Sequence, residues 1–151
     1  MASPEADRAS RRAPARARPG SRGPVIYVDT SVVLAELLAE DRSPPARLWE
    51  SDLVSSRLLE YELWTRVHAR KLTSTHGDAA RAIVARIALL DLSPLVLGRA
   101  LDPFPVAVRT LDAFHLASMD YLRGGGQTVV LASYDDRLVR AASALDFPLF
   151  E

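Results

Sequence analysis

The sequence predicts an α/β fold, a three-layer sandwich with a short parallel central sheet and helices on both faces. Three observations carry that expectation. Two short apolar runs rich in β-branched residues, "VIYV" at 25–28 and "TVVLAS" at 128–133, have the character of parallel strands buried on both faces. Several intervening segments repeat apolar residues at helical spacing. Strand-like and helix-like segments alternate along the chain, which implies β–α units joined into a parallel sheet.

The elements are expected in the following order. A strand at 25–28 leads into a helix over 31–40, with Leu34, Leu37 and Leu38 at helical spacing. Pro44 and Pro45 suit a first helical turn and open a helix over 46–50. "LVSS" (53–56) is a brief strand, and 57–71 a helix. After "STHGD" a helix runs over 79–88, and "ALLDL" (88–92) reads as a strand. A short helix over 93–100 is ended by the Asp102–Pro103 and Phe104–Pro105 turns. A helix over 110–123, with Thr110 as its cap, is stopped by Gly124, Gly125 and Gly126. "TVVLAS" precedes a helix over 136–145 and a last strand, "PLF", at 148–150. The chain has no internal repeat.

With 151 residues, a single domain over 24–151 is expected, preceded by an Ala/Arg/Pro-rich tail over 1–23 that buries nothing and reads as disordered. The tail lacks the apolar stretch of a secretory signal. Its arginines faintly resemble an organellar transit peptide, although its prolines oppose the required helix, and a translation start near Val25 is a further reading. No apolar run approaches the roughly 18 residues of a membrane span, and a cytoplasmic location is expected. The chain has no cysteine and three scattered histidines, so disulfides, thiolate sites and a zinc cluster are excluded. Any metal would be a hard, oxygen-seeking one. The zero net charge hides a split: residues 1–23 carry six Arg against Glu5 and Asp7, and the rest carries 13 basic residues against 17 acids. An acidic domain is unlike a simple phosphate-binding surface but suits an acidic site filled by cations.

Four acids deserve weighing. Asp29 and Asp135 follow the two best strand candidates, and Asp112 falls in the first turn of a helix. Each has a quiet reading, since acids are favoured at helix N-termini. Asp29 and Asp135 together are harder to dismiss, because two neighbouring carboxylates require a proton or a cation between them. In "SSRLLEYELWTRV", Glu62 shares the side of Leu58 and Leu59, while Glu60 stands four residues before Trp64. Periodicity does not separate the two.

In this order, "VIYVDTSVVL", "VSSRLLEYELWTRV", "VRTLDAFHLASM" and "LASYDDRLVRAA" resemble the acidic motifs of the PIN-domain nucleases, and most of all the VapC-type ribonuclease toxins of bacterial toxin–antitoxin pairs. The resemblance covers about 24–151. It implies a PIN-like fold, with Asp29, Glu62, Asp112 and Asp135 as catalytic metal ligands. It selects Glu62 over Glu60, because Glu62 stands six residues after Ser56 and precedes "LWTR". Thr30, Ser31 and Ser133 match hydroxyl positions that support the cluster, and Arg109 matches an arginine common in the group. The cofactor implied is Mg²⁺, with Mn²⁺ a possible substitute, and the reaction is hydrolysis of RNA to 5′-phosphate and 3′-hydroxyl ends. The chemistry is coherent: attack on an anionic phosphodiester needs activated water and neutralised charge, both within reach of a carboxylate-held divalent cation. A cognate antitoxin and a homodimer are the partners implied, with the helices at 31–40 and 57–71 as docking surfaces.

Other chemical-looking residues have plainer readings. His115, three residues after Asp112, is expected to be packed, Asp120 to be a solvated charge, Asp136 a first-turn residue, and Trp49, Tyr61, Trp64 and Phe114 packing residues. Gly124–Gly126 follows a helix instead of opening one, so it reads as a C-terminal turn, not a phosphate loop. Two rival functions remain. One is a non-catalytic PIN-like module that binds RNA or protein. The other is a metal-dependent phosphatase or receiver-type domain, which would want a site lysine after a later strand, whereas Lys71, the single lysine, ends a helix.

Overall fold

The computed structural model describes residues 23–151, and the tail expected over 1–23 lies outside the described residues but for Gly23. Four parallel strands, β1 (Val25–Val28), β2 (Leu53–Ser56), β3 (Ala88–Leu90) and β4 (Val129–Ala132), form one sheet in the order β3-β2-β1-β4. The helices are α1 (Thr30–Leu37), α2 (Ala46–Trp49), α3 (Leu58–Ala69), α4 (Thr73–Val84), α5 (Pro94–Leu101), α6 (Thr110–Gly124) and α7 (Asp136–Ala144).

The two faces of the sheet follow from strand alternation. Ile26 and Val28 of β1 turn to a core shared with Val32, Val33, Leu59, Leu63 and Val67 from α1 and α3. Tyr27, between them, turns to the opposite core, built with Leu116 and Met119 of α6 and Leu138 and Ala142 of α7. This is the expected three-layer sandwich.

Chain order places the first strand in the interior of the sheet. From β1 the chain moves outward through β2 to β3, then crosses back so that β4 pairs on β1's other side, with Val28 opposite Ala132. The carboxyl ends of β1 and β4 therefore flank a topological switch point, where α/β sheets open a crevice for ligands.

The elements depart from expectation in three places. Helix α4 begins at Thr73 and runs through "STHGD", because Gly77 sits buried in the helix interior against Trp64 and Arg81. Thr110 is the first residue of α6, not its cap; that position is Arg109, which makes no side-chain capping bond. The segment expected as a last strand makes one parallel bridge, Leu131 to Leu149. The glycine turn after α6 is as expected, with Gly126 at φ +92°, a left-handed conformation that glycine adopts without strain.

Candidate active site

Asp29, Glu62, Asp112 and Asp135 line one cavity of about 810 Å³, together with Thr30, Ser31, Asp41, Arg42, Arg66, Arg70, His115, Tyr134 and Asp136. Glu60 does not; its carboxylate pairs with Arg57 on the protein surface. The four acids come from four different elements, so the cavity exists only in the folded chain.

Asp29 is the buried one, 6% exposed at the end of β1. It caps α1, and its Oδ2 accepts from the Ser31 hydroxyl at 2.6 Å, the Ser31 amide at 3.4 Å and the Ser133 hydroxyl at 2.9 Å. No donor among the described residues reaches Oδ1. Ser31 also reaches across the switch point, its Oγ accepting from the Tyr134 amide, while Ser133 Oγ accepts locally from the Asp135 amide. Asp135 caps α7 through Oδ1, which accepts from the amides of Arg137 and Leu138. The capping role and the cavity position thus coincide at both acids, and each has a second oxygen outside its capping bonds.

Glu62 enters from α3. Its Oε1 accepts from Thr30 Oγ1 at 3.1 Å and lies 2.6 Å from His115 Nε2. His115 is packed, as expected, at 1% exposure, and it also contacts an acid of the site. Burial by itself would lower the pKa of His115, but the Glu62 hydrogen bond and the charges of Asp29, Glu62 and Asp112 outweigh it and raise the value. The carboxyl of Asp112, in the first turn of α6, is pushed above its ordinary range by partial burial and by the charges of Asp135 and Asp29, against smaller opposing effects of His115 and Arg109. Anionic charge in this cavity is thus undercompensated by the protein.

That is the condition for a bound cation, and the donor set is all oxygen, as Mg²⁺ or Mn²⁺ prefers. Among the described residues no group of three or more His, Cys, Asp or Glu side chains is set to hold a metal ion together. The site fits an ion that keeps much of its water and takes only a few carboxylates, which is how Mg²⁺ is usually held.

Arg109 is exposed and lines a separate, mostly apolar pocket with Phe104 and Phe114, and its charge acts on Asp112. Asp136 opens α7 and also lines the acidic cavity. Asp120, expected as a solvated charge, is half-buried and bridges Arg99 of α5 and Arg123 of α6. The sequence reading missed Arg42 on the rim, and it missed Tyr27, fully buried with its hydroxyl against His115. The signal at Tyr27 was a phenol inside a strand otherwise apolar on both faces, since a buried Tyr hydroxyl needs a partner.

Comparison with known proteins agrees with this geometry. The family model for the PIN domain matches residues 26–144. Ribonuclease VapC47 of Mycobacterium tuberculosis is 29% identical over 130 residues, 82% of this chain and 93% of the relative. Ribonuclease VapC46 of the same species is 34% identical over 123 residues, 80% and 92% of the two chains. The crystal structure of M. tuberculosis VapC20, a Sarcin-Ricin loop cleaving toxin, superposes with a TM-score of 0.56 at 22% identity, covering 77% of this chain and 94% of that one. The chain belongs to the PIN-domain family and, within it, to the VapC-type ribonuclease toxins.

Proposed function

We propose that this chain is a Mg²⁺-dependent endoribonuclease toxin that hydrolyses RNA phosphodiester bonds in the cytoplasm and is silenced by a cognate antitoxin. The observation that carries the reading is the gathering of Asp29, Glu62, Asp112 and Asp135 around one cavity at the switch point. When bound there, a divalent cation supplies charge neutralisation and an acidified water. The chain's own part is to hold the carboxylates. Asp29 is fixed by Ser31 and Ser133, Asp135 by the first turn of α7, and Glu62 by Thr30 and His115. Asp29, Asp112, Asp135 and Glu62 would hold the ion through the oxygens facing the cavity.

Arg42, Arg66 and Arg70 line the same cavity, and their guanidinium groups suit the phosphates of a strand laid across it. Arg42 stacks on Tyr134 at 5.4 Å, while Arg70 has only a 4.0 Å contact to Glu40. This supports RNA as the substrate despite the domain's acidic balance. For protein partners, the large exposed apolar residues favour α5 and α6, which carry Leu95, Leu97, Leu101 and Leu111, and α3, which carries Tyr61, over α1, whose Val32, Val33 and Leu37 are used by the core. We assign homodimer or antitoxin contact to these exposed helices. No described helix is long and apolar enough to cross a membrane.

The test is product analysis. Purified protein incubated with single-stranded and hairpin RNAs in Mg²⁺ should yield fragments with 5′-phosphate ends, and EDTA should abolish them. RNA left whole in Mg²⁺ and Mn²⁺ by a protein that binds it would favour the non-catalytic module instead.

A further inference from the structure

Asp29 and Asp135 are short side chains held by neighbouring hydroxyl and amide donors, but Glu62 hangs from a helix on a longer and more flexible stem. What aims it is a buried chain of hydrogen bonds that starts on the other side of the sheet. The Ser56 amide, at the end of β2, donates to Tyr27 Oη at 3.1 Å. That oxygen lies 2.7 Å from His115 Nδ1, and His115 Nε2 lies 2.6 Å from Glu62 Oε1. Ser56 and Tyr27 are fully buried, and His115 nearly so.

Proton counting gives the chain a direction. The phenol oxygen accepts from Ser56, and a phenol hydrogen pointed at His115 Nδ1, 2.7 Å away, would make that nitrogen the acceptor. The neighbouring hydroxyls of Ser55 and Ser118 donate elsewhere, to the carbonyls of Val28 and Phe114. An imidazole that accepts at Nδ1 carries its proton on Nε2, the nitrogen facing Glu62. Donation then runs from Ser56 through Tyr27 and His115 into Glu62 Oε1. Thr30 donates to the same oxygen, so two donors, from α1 and α6, pin Oε1 and leave Oε2 as the oxygen with no donor among the described residues.

We propose that Tyr27 and His115 are positioning residues for this site, a relay that fixes the His115 tautomer and thereby the orientation of the Glu62 carboxylate. The inference rests on the metal-nuclease reading above for what Glu62 does, but the relay itself rests on the buried contacts. Supporting groups of this kind typically contribute about 10–100-fold to metal affinity or activity.

The relay is tested first without any variant. In ¹⁵N spectra of the metal-free full-length protein, His115 should be the tautomer protonated on Nε2, and Tyr27→Phe should move its Nδ1 signal. A proton found on Nδ1 overturns the proposal. The second arm is Mn²⁺ affinity, measured by calorimetry on wild type, His115→Asn, Tyr27→Phe, Glu62→Gln and the His115→Asn/Glu62→Gln double variant, with thermal unfolding to verify folding. His115→Asn should weaken Mn²⁺ binding about tenfold and Tyr27→Phe less. In the Glu62→Gln background the His115 substitution should cost nothing further, because it acts through Glu62. RNA kcat should fall with KM unchanged. Equal losses with and without Glu62 overturn the relay while leaving the nuclease reading intact. A folded wild type that neither binds Mn²⁺ nor cuts RNA overturns both.

Discussion

At the scale of single residues, the recurring theme is a carboxylate with divided oxygens. Asp29 gives Oδ2 to three donors and leaves Oδ1 without one among the described residues; Asp135 gives Oδ1 to the first turn of α7. The choice between cap and ligand, which local sequence presents as exclusive, dissolves because a carboxylate has two oxygens. Asp120 shows the structural extreme, with each oxygen taken by an arginine, Arg99 or Arg123. Desolvation opposes its ionisation, but those two hydrogen bonds and charges prevail and lower its pKa. A depressed folded-state pKa contributes stability above the unfolded carboxylate range and loses it as pH falls through the folded value. Asp120→Asn should therefore destabilise the protein by about 1 kcal/mol near neutrality, the scale of a partly exposed ion pair. Chemical denaturation across pH should show the gap to wild type closing in acid; a gap independent of pH would contradict the assignment.

At the scale of elements, α3 does more than its periodicity reveals. Glu62, Arg66 and Arg70 succeed one another at four-residue intervals, roughly 6 Å apart along a helix, and all three line the cavity. One helix thus presents a site acid followed by two cations, a ladder comparable in step to neighbouring phosphates of an extended strand. Arg66→Ala should raise the apparent Kd for RNA and reduce the salt dependence of binding by about one unit of slope, with kcat little changed. An unchanged salt slope would remove Arg66 from the RNA path. Helix α4 shows where element reading stops. Its Gly77 lies inside the helix, buried under Trp64 and Arg81, whose cation–π stack at 5.2 Å closes over it. A Cβ there would meet the movable end of Arg81 at 3.4 Å and otherwise have room. Gly77→Ala should accordingly stabilise the fold by about 0.5–1 kcal/mol through helix propensity, read as a raised Tm.

At the scale of the whole molecule, the sheet order brings together what the chain keeps apart. The fold class and the four acids were legible in sequence because strands buried on both faces, helical spacing and motif order are local or sequential signals. The relay was not, since it depends on contacts such as Tyr27 with His115 and His115 with Glu62, 88 and 53 residues apart. Placing β1 between β2 and β4 is what sets Asp29 between Glu62 on one side and Asp135 on the other, and the central claim is that a divalent cation there drives RNA hydrolysis. The most direct measurement is RNA cleavage by wild type and Asp29→Asn, with Mn²⁺ affinity followed on the same samples. The account predicts metal-dependent cleavage by wild type, and for Asp29→Asn at least a 100-fold loss, about 2.7 kcal/mol or more, alongside weakened Mn²⁺ binding. A folded Asp29→Asn protein that cuts RNA at the wild-type rate would contradict it.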